Sequence, residues 1–482
     1  MSTVLDTRSF LRWCWRQLTS MRTALILLLL LAVAAIPGSL FPQRSQNPIQ
    51  VKQFFAENPE TAIWLDRLSL FNVFSSPWFS AIYLLLFISL IGCVLPRSIE
   101  HLKAIGAKPP LTPKYLDRME FYTEIKKIDL DKVEKFLRKK HFRIRRDENS
   151  ISAEKGYARE TGNLLFHLSL VLILLAVGIG SLLGSRGDAI VNVGDRFINT
   201  PTSYDILSFG KYQAEDSLPP FSLTVTDFKA EYDPVTNAAI DYELTVLTAN
   251  PAGSKETKKI IKVNQPLAYG STKIYLQANG YSPIVIVRDK SGKIIFDGPT
   301  PFLPQDTNLS SIGAIKIPDM DPQIGFVGSF LPTADRDPIR GGFSSYPEVL
   351  DPRLLVSVWQ GDLGLNTGVP QSVYRIDTSK MQRIGLKALI LNETYDFGEG
   401  SITFTGWKSW VNLQIVNDPG KGYALLGAIL AILGLLISLV TRQRRVWVKQ
   451  GKQTQVAGLA KNAIPGLENE IRDLVRELDS ER

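Results

Sequence analysis

Three histidines and two cysteines make up the chain's whole stock of imidazole and thiol ligands. One of the histidines stands where its ring is costly. His167 lies inside residues 164–183 (LLFHLSLVLILLAVGIGSLL), a run without Lys, Arg, Asp or Glu. A ring nitrogen buried in hydrocarbon has lost its water and needs a partner. Such an imidazole can ligate haem iron, relay protons or hydrogen-bond a neighbouring helix. At helical spacing Asn163, His167, Leu170, Leu174, Gly178 and Ser181 share one face, whose polar and small residues suit contact with other helices better than contact with lipid. Four residues at about 1.5 Å rise place His167 about 6 Å inward from Asn163.

The remaining residues offer less chemistry. His101 follows Leu95-Pro96-Arg97 and His141 sits in FLRKKHFRIRR; both are expected to be solvated, with an interfacial ligand role open to His101. Cys14 precedes the first apolar run and Cys93 lies inside the second, so residues 184–421 contain no cysteine. Thiol–disulfide exchange, a disulfide framework and zinc sites built on Cys pairs are thereby excluded from that segment. P-loop, dinucleotide, HExxH and GxSxG patterns do not occur, and the scattered acids nominate no carboxylate pair. Trp407 and Trp410 in GWKSW read as a cross-strand aromatic cluster within an alternating run over residues 401–416.

The elements that position these residues follow from hydropathy. Residues 23–41, 78–95, 164–183 and 422–440 are each apolar, uncharged and long enough to cross a hydrocarbon layer of about 30 Å. The chain is therefore expected to be a polytopic membrane protein with four transmembrane α-helices. Residues 1–22 read as an amphipathic, surface-lying segment, and the first run lacks a clean Ala-x-Ala site, so it is expected to persist as an anchor.

Charge then assigns sides. Residues 1–22 carry four Lys/Arg against one acid, 96–163 carry seventeen against eleven, and 441–482 carry nine against six. The connection 42–77 is balanced at three against three, whereas 184–421 carry twenty-two against twenty-six. Because cytoplasmic loops hold the excess of Lys and Arg, both ends and 96–163 are placed in the cytoplasm, with 42–77 and 184–421 outside. The net charge of +8 thus reports topology and not nucleic-acid binding. Anionic lipid is the expected partner of Arg442, Arg444 and Arg445.

Short alternating runs separated by Pro, Gly, Asn and Asp make 184–421 a large β-rich extracytoplasmic domain, with strands expected over 221–228, 241–246, 259–263, 272–277 and 284–287. Residues 96–163 read as a small cytoplasmic α/β unit: extended near 120–128, a helix near 131–140, then strands near 142–145 and 150–154. Asp418 with Pro419 is the expected start signal of the fourth span. The tail 441–482 closes with Leu467, Ile471, Leu474, Val475 and Leu478 on one helical face, suited to docking or self-association.

This arrangement resembles the ResB/CcsB family of System II cytochrome c biogenesis, in its cyanobacterial and plastid branch. The resemblance rests on AEKGYARETGNLLFHLSLVLILL entering the third span, VNQPLAYGSTKIYLQ in the outer segment, and NDPG with RRVWV around the fourth span. It implies a thylakoid membrane protein, or otherwise a plasma membrane one, with its large domain in the lumen. It also implies a CcsA/ResC-type partner subunit, with which this chain, not catalytic alone, forms the synthetase that attaches haem b to apocytochromes c. His167 would be an axial ligand to the haem iron, and a separate thiol-reducing system would keep the apocytochrome cysteines reduced. GWKSW lacks the acidic residue that follows in the partner's Trp-rich motif. The alternatives are a membrane assembly scaffold that never binds haem and a receptor-like module whose outer domain takes a small ligand.

Overall fold

The computed structural model describes residues 6–44, 48–119, 121–337, 341–365, 372–460, 469, 471–473 and 475–476. They divide into two compact units, Met1–Gly178 with Gly420–Arg482, and Ile179–Pro419.

The helices of the first unit, in chain order, are α1 (Thr7–Leu18), α2 (Met21–Leu40), α3 (Pro48–Glu57), α4 (Pro59–Arg67), α5 (Pro77–Gly106), α6 (Leu130–Lys139), α7 (Ala158–Leu183) and α8 (Lys421–Val440), with α7 running on into the second unit. α2, α5, α7 and α8 are long and apolar enough to cross a membrane, as the hydropathy predicts. Ser20 and Ser76 cap α2 and α5 by accepting from the amides of Thr23 and Phe79, each at 3.2 Å. α2 continues through Pro37 to Leu40, within the expected span 23–41, while the boundaries differ from expectation in two places. α5 runs past Pro96 to Gly106. A proline forfeits one backbone donor, which weakens or bends a helix without always ending it. α8 starts only at Lys421 behind Gly420, without a side-chain cap, so Asp418 does not serve as the N-cap.

The sheet of this unit revises the expected boundary most. Strands Phe121–Ile125, Arg143–Asp147 and Ser150–Lys155 and the helix α6 form close to where the pattern puts them. They do not make a sheet by themselves. Arg444–Lys449 and Thr454–Ala460, expected as tail, are the middle strands of an antiparallel five-stranded sheet, between Phe121–Ile125 on one side and Ser150–Lys155 on the other. The reason is burial: Val446, Val448 and Val456 close over Leu130, Val133 and Leu137 of α6 together with Ile151 and Ala153. Ile471 and Val475 pack on the same core, whereas Leu467, Leu474 and Leu478 lie outside the described residues. Arg445, expected to meet lipid, is 3.4 Å from the buried carboxylate of Glu154.

The second unit is β-rich, with seven-, five- and four-stranded sheets and a separate hairpin among the described residues. Two 18-residue strands, Thr272–Asp289 and Gly400–Asn417, pair antiparallel along their whole length, from Thr272 opposite Asn417 to Asp289 opposite Gly400. The expected pair 272–277 and 284–287 is thus one strand. Bulges at Leu276/Ala278 and Ile284/Val285 rotate it and break the alternation that a strand of constant phase would show. Ile274, Val411, Leu413 and Ile415 enter one core with Phe221, Leu223 and Leu244. Val285, Val287, Ile402 and Phe404 enter another with Phe326, Phe330 and Leu354. The long ribbon therefore serves two hydrophobic cores.

Trp410 stands between these halves at 2 % exposure, and its Nε1 donates to the carbonyls of both Tyr281 and Phe302 at 3.1 Å. It lies opposite Gly280, where a Cβ would come within 2.4 Å of the indole. Trp407, by contrast, is 36 % exposed, and the two rings form no aromatic pair with each other, so GWKSW is not a cross-strand cluster. Trp410→Ala is expected to destabilise this unit by about 3–5 kcal/mol through cavity formation. Trp410→Phe, which keeps most of the volume but removes the indole donor from the Phe302 carbonyl, the Tyr281 carbonyl still accepting from the Phe302 amide, costs about 1–3 kcal/mol. Chemical denaturation of the two variants ranks them, and equal losses would contradict the hydrogen-bond contribution.

Burial raises the phenol pKa of Tyr204, Tyr232, Tyr281 and Tyr374, with Asp205 adding to the effect at Tyr374 through a 2.7 Å hydrogen bond. Above the unperturbed tyrosine value of about 10 the unfolded chain releases these protons first. It then binds fewer protons than the native state, so stability is full below about pH 10 and falls as pH rises further. Unfolding midpoints are expected to drop between about pH 9 and about pH 11, less steeply in Tyr232→Phe. A flat profile would count against this linkage.

Candidate functional site

His167 sits on α7 with Asn163, Leu170 and Leu174, and all four line one cavity of about 660 Å³ in the first unit. The face expected from helical spacing is therefore the face that the cavity uses. The opposite walls come from Leu25, Leu28 and Leu31 of α2 and from Leu86, Leu90 and Val94 of α5. Three apolar spans thus enclose a slot in which Asn163, His167 and Arg97 are prominent polar residues. Hydrogen bonds to backbone carbonyls hold the walls: Tyr83 Oη donates to Leu174 (2.5 Å), Ser89 Oγ to Leu18 (2.5 Å) and Cys93 Sγ to Thr19 (2.6 Å). Cys93 is thereby a wall residue that bonds a neighbouring segment.

The His167 ring is oriented from its own helix. Nδ1 lies 2.7 Å from the Asn163 carbonyl oxygen, and Phe166 packs edge-on at 5.2 Å. A carbonyl can only accept, so Nδ1 carries the proton. In the neutral ring Nε2 then holds the lone pair, and no protein partner meets it among the described residues. This is the tautomer a metal ligand uses, with the second nitrogen bonded to a backbone carbonyl. The hydrogen bond to a neighbouring helix that the sequence also allowed is not made among the described residues. Nor, among them, is a group of three or more His, Cys, Asp or Glu placed to hold a metal ion, and His167 is the histidine that lines this slot.

His101 departs from expectation. It is 7 % exposed, with Nε2 2.9 Å from Thr161 Oγ1, the ring stacked on Tyr157 at 5.2 Å, and Nδ1 3.9 Å from Glu160 Oε2. Continuation of α5 beyond Pro96 carries it against the start of α7, a contact invisible to a pattern that stops the helix at proline. His141 is exposed and in the left-handed region (φ 61°) just after α6. Sequence reasoning also missed Arg97, which lines the His167 slot; its only local signal is its position one residue after Pro96.

α7 is fixed against α8 by backbone contact. A Cβ at Gly434 would lie 2.6 Å from Phe166 N and 2.7 Å from the Gly162 carbonyl oxygen, and one at Gly427 would lie 2.7 Å from Ile173 Cγ1. Small residues allow this approach where lipid supplies no hydrophobic drive for helices to associate.

The chain was compared with known proteins. It is 24 % identical to cytochrome c biogenesis protein CcsB of Picosynechococcus sp., over 98 % of this chain and 94 % of that protein. It is 25 % identical to the proteins of the same name from Microcystis aeruginosa (96 % and 94 %) and Gloeobacter violaceus (96 % and 91 %). A sequence profile of the ResB-like family matches residues 21–472. That span takes in all four long apolar helices, the β-rich unit and the two strands after the last helix, and the chain belongs to the ResB-like family.

Proposed function

We propose that this protein works in cytochrome c biogenesis, bringing haem b across the membrane for attachment to apocytochromes c together with a CcsA/ResC-type membrane subunit. Family membership and the names of its relatives support the general role. The observation that carries the haem assignment is the His167 ring, oriented by Asn163 and set in an apolar slot of about 660 Å³. The residues present fit the group: an imidazole Nε2 for the iron, aliphatic walls for the macrocycle and a guanidinium for its carboxylates. When bound, the iron supplies the affinity that a flat apolar ring alone would lack. This chain's contribution is to orient the ligand, leave Nε2 without a protein partner and exclude water. With one such histidine in the slot, a further ligand to the iron would come from the partner.

In this reading the positive-inside rule sets both ends and the five-stranded sheet in the cytoplasm, and Ile179–Pro419 in the thylakoid lumen. The outer unit, without cysteine, holds apocytochrome and partner in register while a separate thiol-reducing system supplies reduced thiols. The test is a strain lacking the gene. Membranes stained for covalent haem are expected to lose holocytochromes c, with restoration by the full chain. Normal holocytochromes in that strain would overturn the function.

A further inference from the structure

The His167 slot does not end at apolar walls. Arg97, Asn163 and Leu164 also line a second cavity of about 570 Å³ in the same unit, which includes His101, Arg159 and Gln443. A dry compartment and a polar one therefore share a wall, and Arg97 belongs to both. Among the described residues neither Arg97 nor Arg159 forms an ion pair or hydrogen bond with a carboxylate. A guanidinium in a concave site at a span's end has three outlets: water, a lipid phosphate or an anionic ligand group. Its planar fork matches a carboxylate in two parallel hydrogen bonds. The acids of the polar cavity do not fill that role. Glu160 faces His101 Nδ1 at 3.9 Å, which disfavours a second anion on that side and leaves the arginine side for one.

We infer that Arg97, with Arg159, forms a carboxylate seat for the acidic edge of an amphipathic ligand whose apolar body lies in the slot beside His167. This rests on the haem assignment and sharpens it. His167 would hold the iron, the arginine end would hold the carboxylates, and the ligand class becomes a porphyrin with free carboxylates. His101, buried between Thr161 and Tyr157, is a positioning residue that holds the end of α5 and hence Arg97 against α7.

The full-length protein, purified in detergent and free of haem, is titrated with ferric haem and with haem dimethyl ester, which has the same iron and ring but esterified carboxylates. The wild type is expected to bind haem about 10-fold more tightly than the diester, the scale of one charge-assisted hydrogen-bonded contact. Arg97→Ala combined with Arg159→Ala is expected to close that gap by weakening haem alone, with the Soret position and the diester affinity unchanged; Arg97→Lys restores part of it. Equal wild-type affinity for the two porphyrins overturns the seat while leaving the His167 assignment standing. So does a variant that weakens both alike. If the variants retain haem affinity but lose copurifying phosphatidylglycerol, the seat belongs to a lipid phosphate and the inference is again overturned. Failure of the wild type to bind either porphyrin removes both this inference and the haem assignment.

Discussion

His167→Ala is expected to strip haem from the purified protein, and added imidazole to restore it. The proposed iron–Nε2 bond is what would distinguish this residue from the apolar wall around it. The ring's other nitrogen is engaged with its own helix at 2.7 Å, so removing the side chain breaks no hydrogen bond between helices among the described residues. Groups that merely orient a ligand cost about 10–100-fold in metal affinity when lost. Removal of the ligand itself should cost no less than about 100-fold, with a shifted Soret band for any residual haem. Free imidazole fits the space that the truncated side chain vacates and supplies the same donor atom, whereas a protein that had merely unfolded would not respond to it. Leu170→Ala, on the same cavity wall, serves as the control for altered packing. The measurement is the visible spectrum of equal amounts of protein. Haem retained at wild-type level in His167→Ala, or lost equally in Leu170→Ala, would refute axial ligation and leave the scaffold alternative.

The second large effect is expected at the crossing of α7 and α8. Gly434→Leu places its first side-chain carbon 2.6 Å from a backbone nitrogen and 2.7 Å from a backbone oxygen, and backbone cannot move aside as a flexible side chain can. Overpacking of this kind costs about 1–3 kcal/mol in soluble cores. In a membrane the close approach is itself the main source of association, so separating the helices forfeits the contacts as well. Lower accumulation in the membrane and a lower thermal midpoint are expected, together with loss of haem, because α7 carries His167. Gly178→Ala is the matched control. It lies on α7, the other helix of the crossing, its added carbon would meet nothing within 4 Å, and alanine favours the helix more than glycine does. Identical behaviour of the two variants would remove the close-approach argument.

The division between what could and could not be read beforehand follows the range of the interactions. The four spans were legible because about 20 uncharged apolar residues have no other stable environment. The face of α7 was legible because 3.6-residue periodicity is local, and Asn163, His167, Leu170 and Leu174 do share a cavity. Pro96 misled, since a proline stops a helix only where nothing else holds it. The expected solvation of His101 failed with it.

The sequence by itself determined the number of apolar spans, the absence of cysteine from residues 184–421, the strand-rich character of that segment and the one histidine placed in an apolar helix. Each is a property of composition or of spacing along a few turns. Only the tertiary structure decided that residues 444–460 complete a sheet begun near residue 121, because strand partners are chosen by burial across hundreds of residues. It also decided that His167 Nδ1 is taken by Asn163 and that Arg97 joins the slot to a polar cavity. A histidine's chemistry depends on which nitrogen is already bonded, and that is fixed by atoms within 3 Å of the ring, which spacing along the chain does not specify.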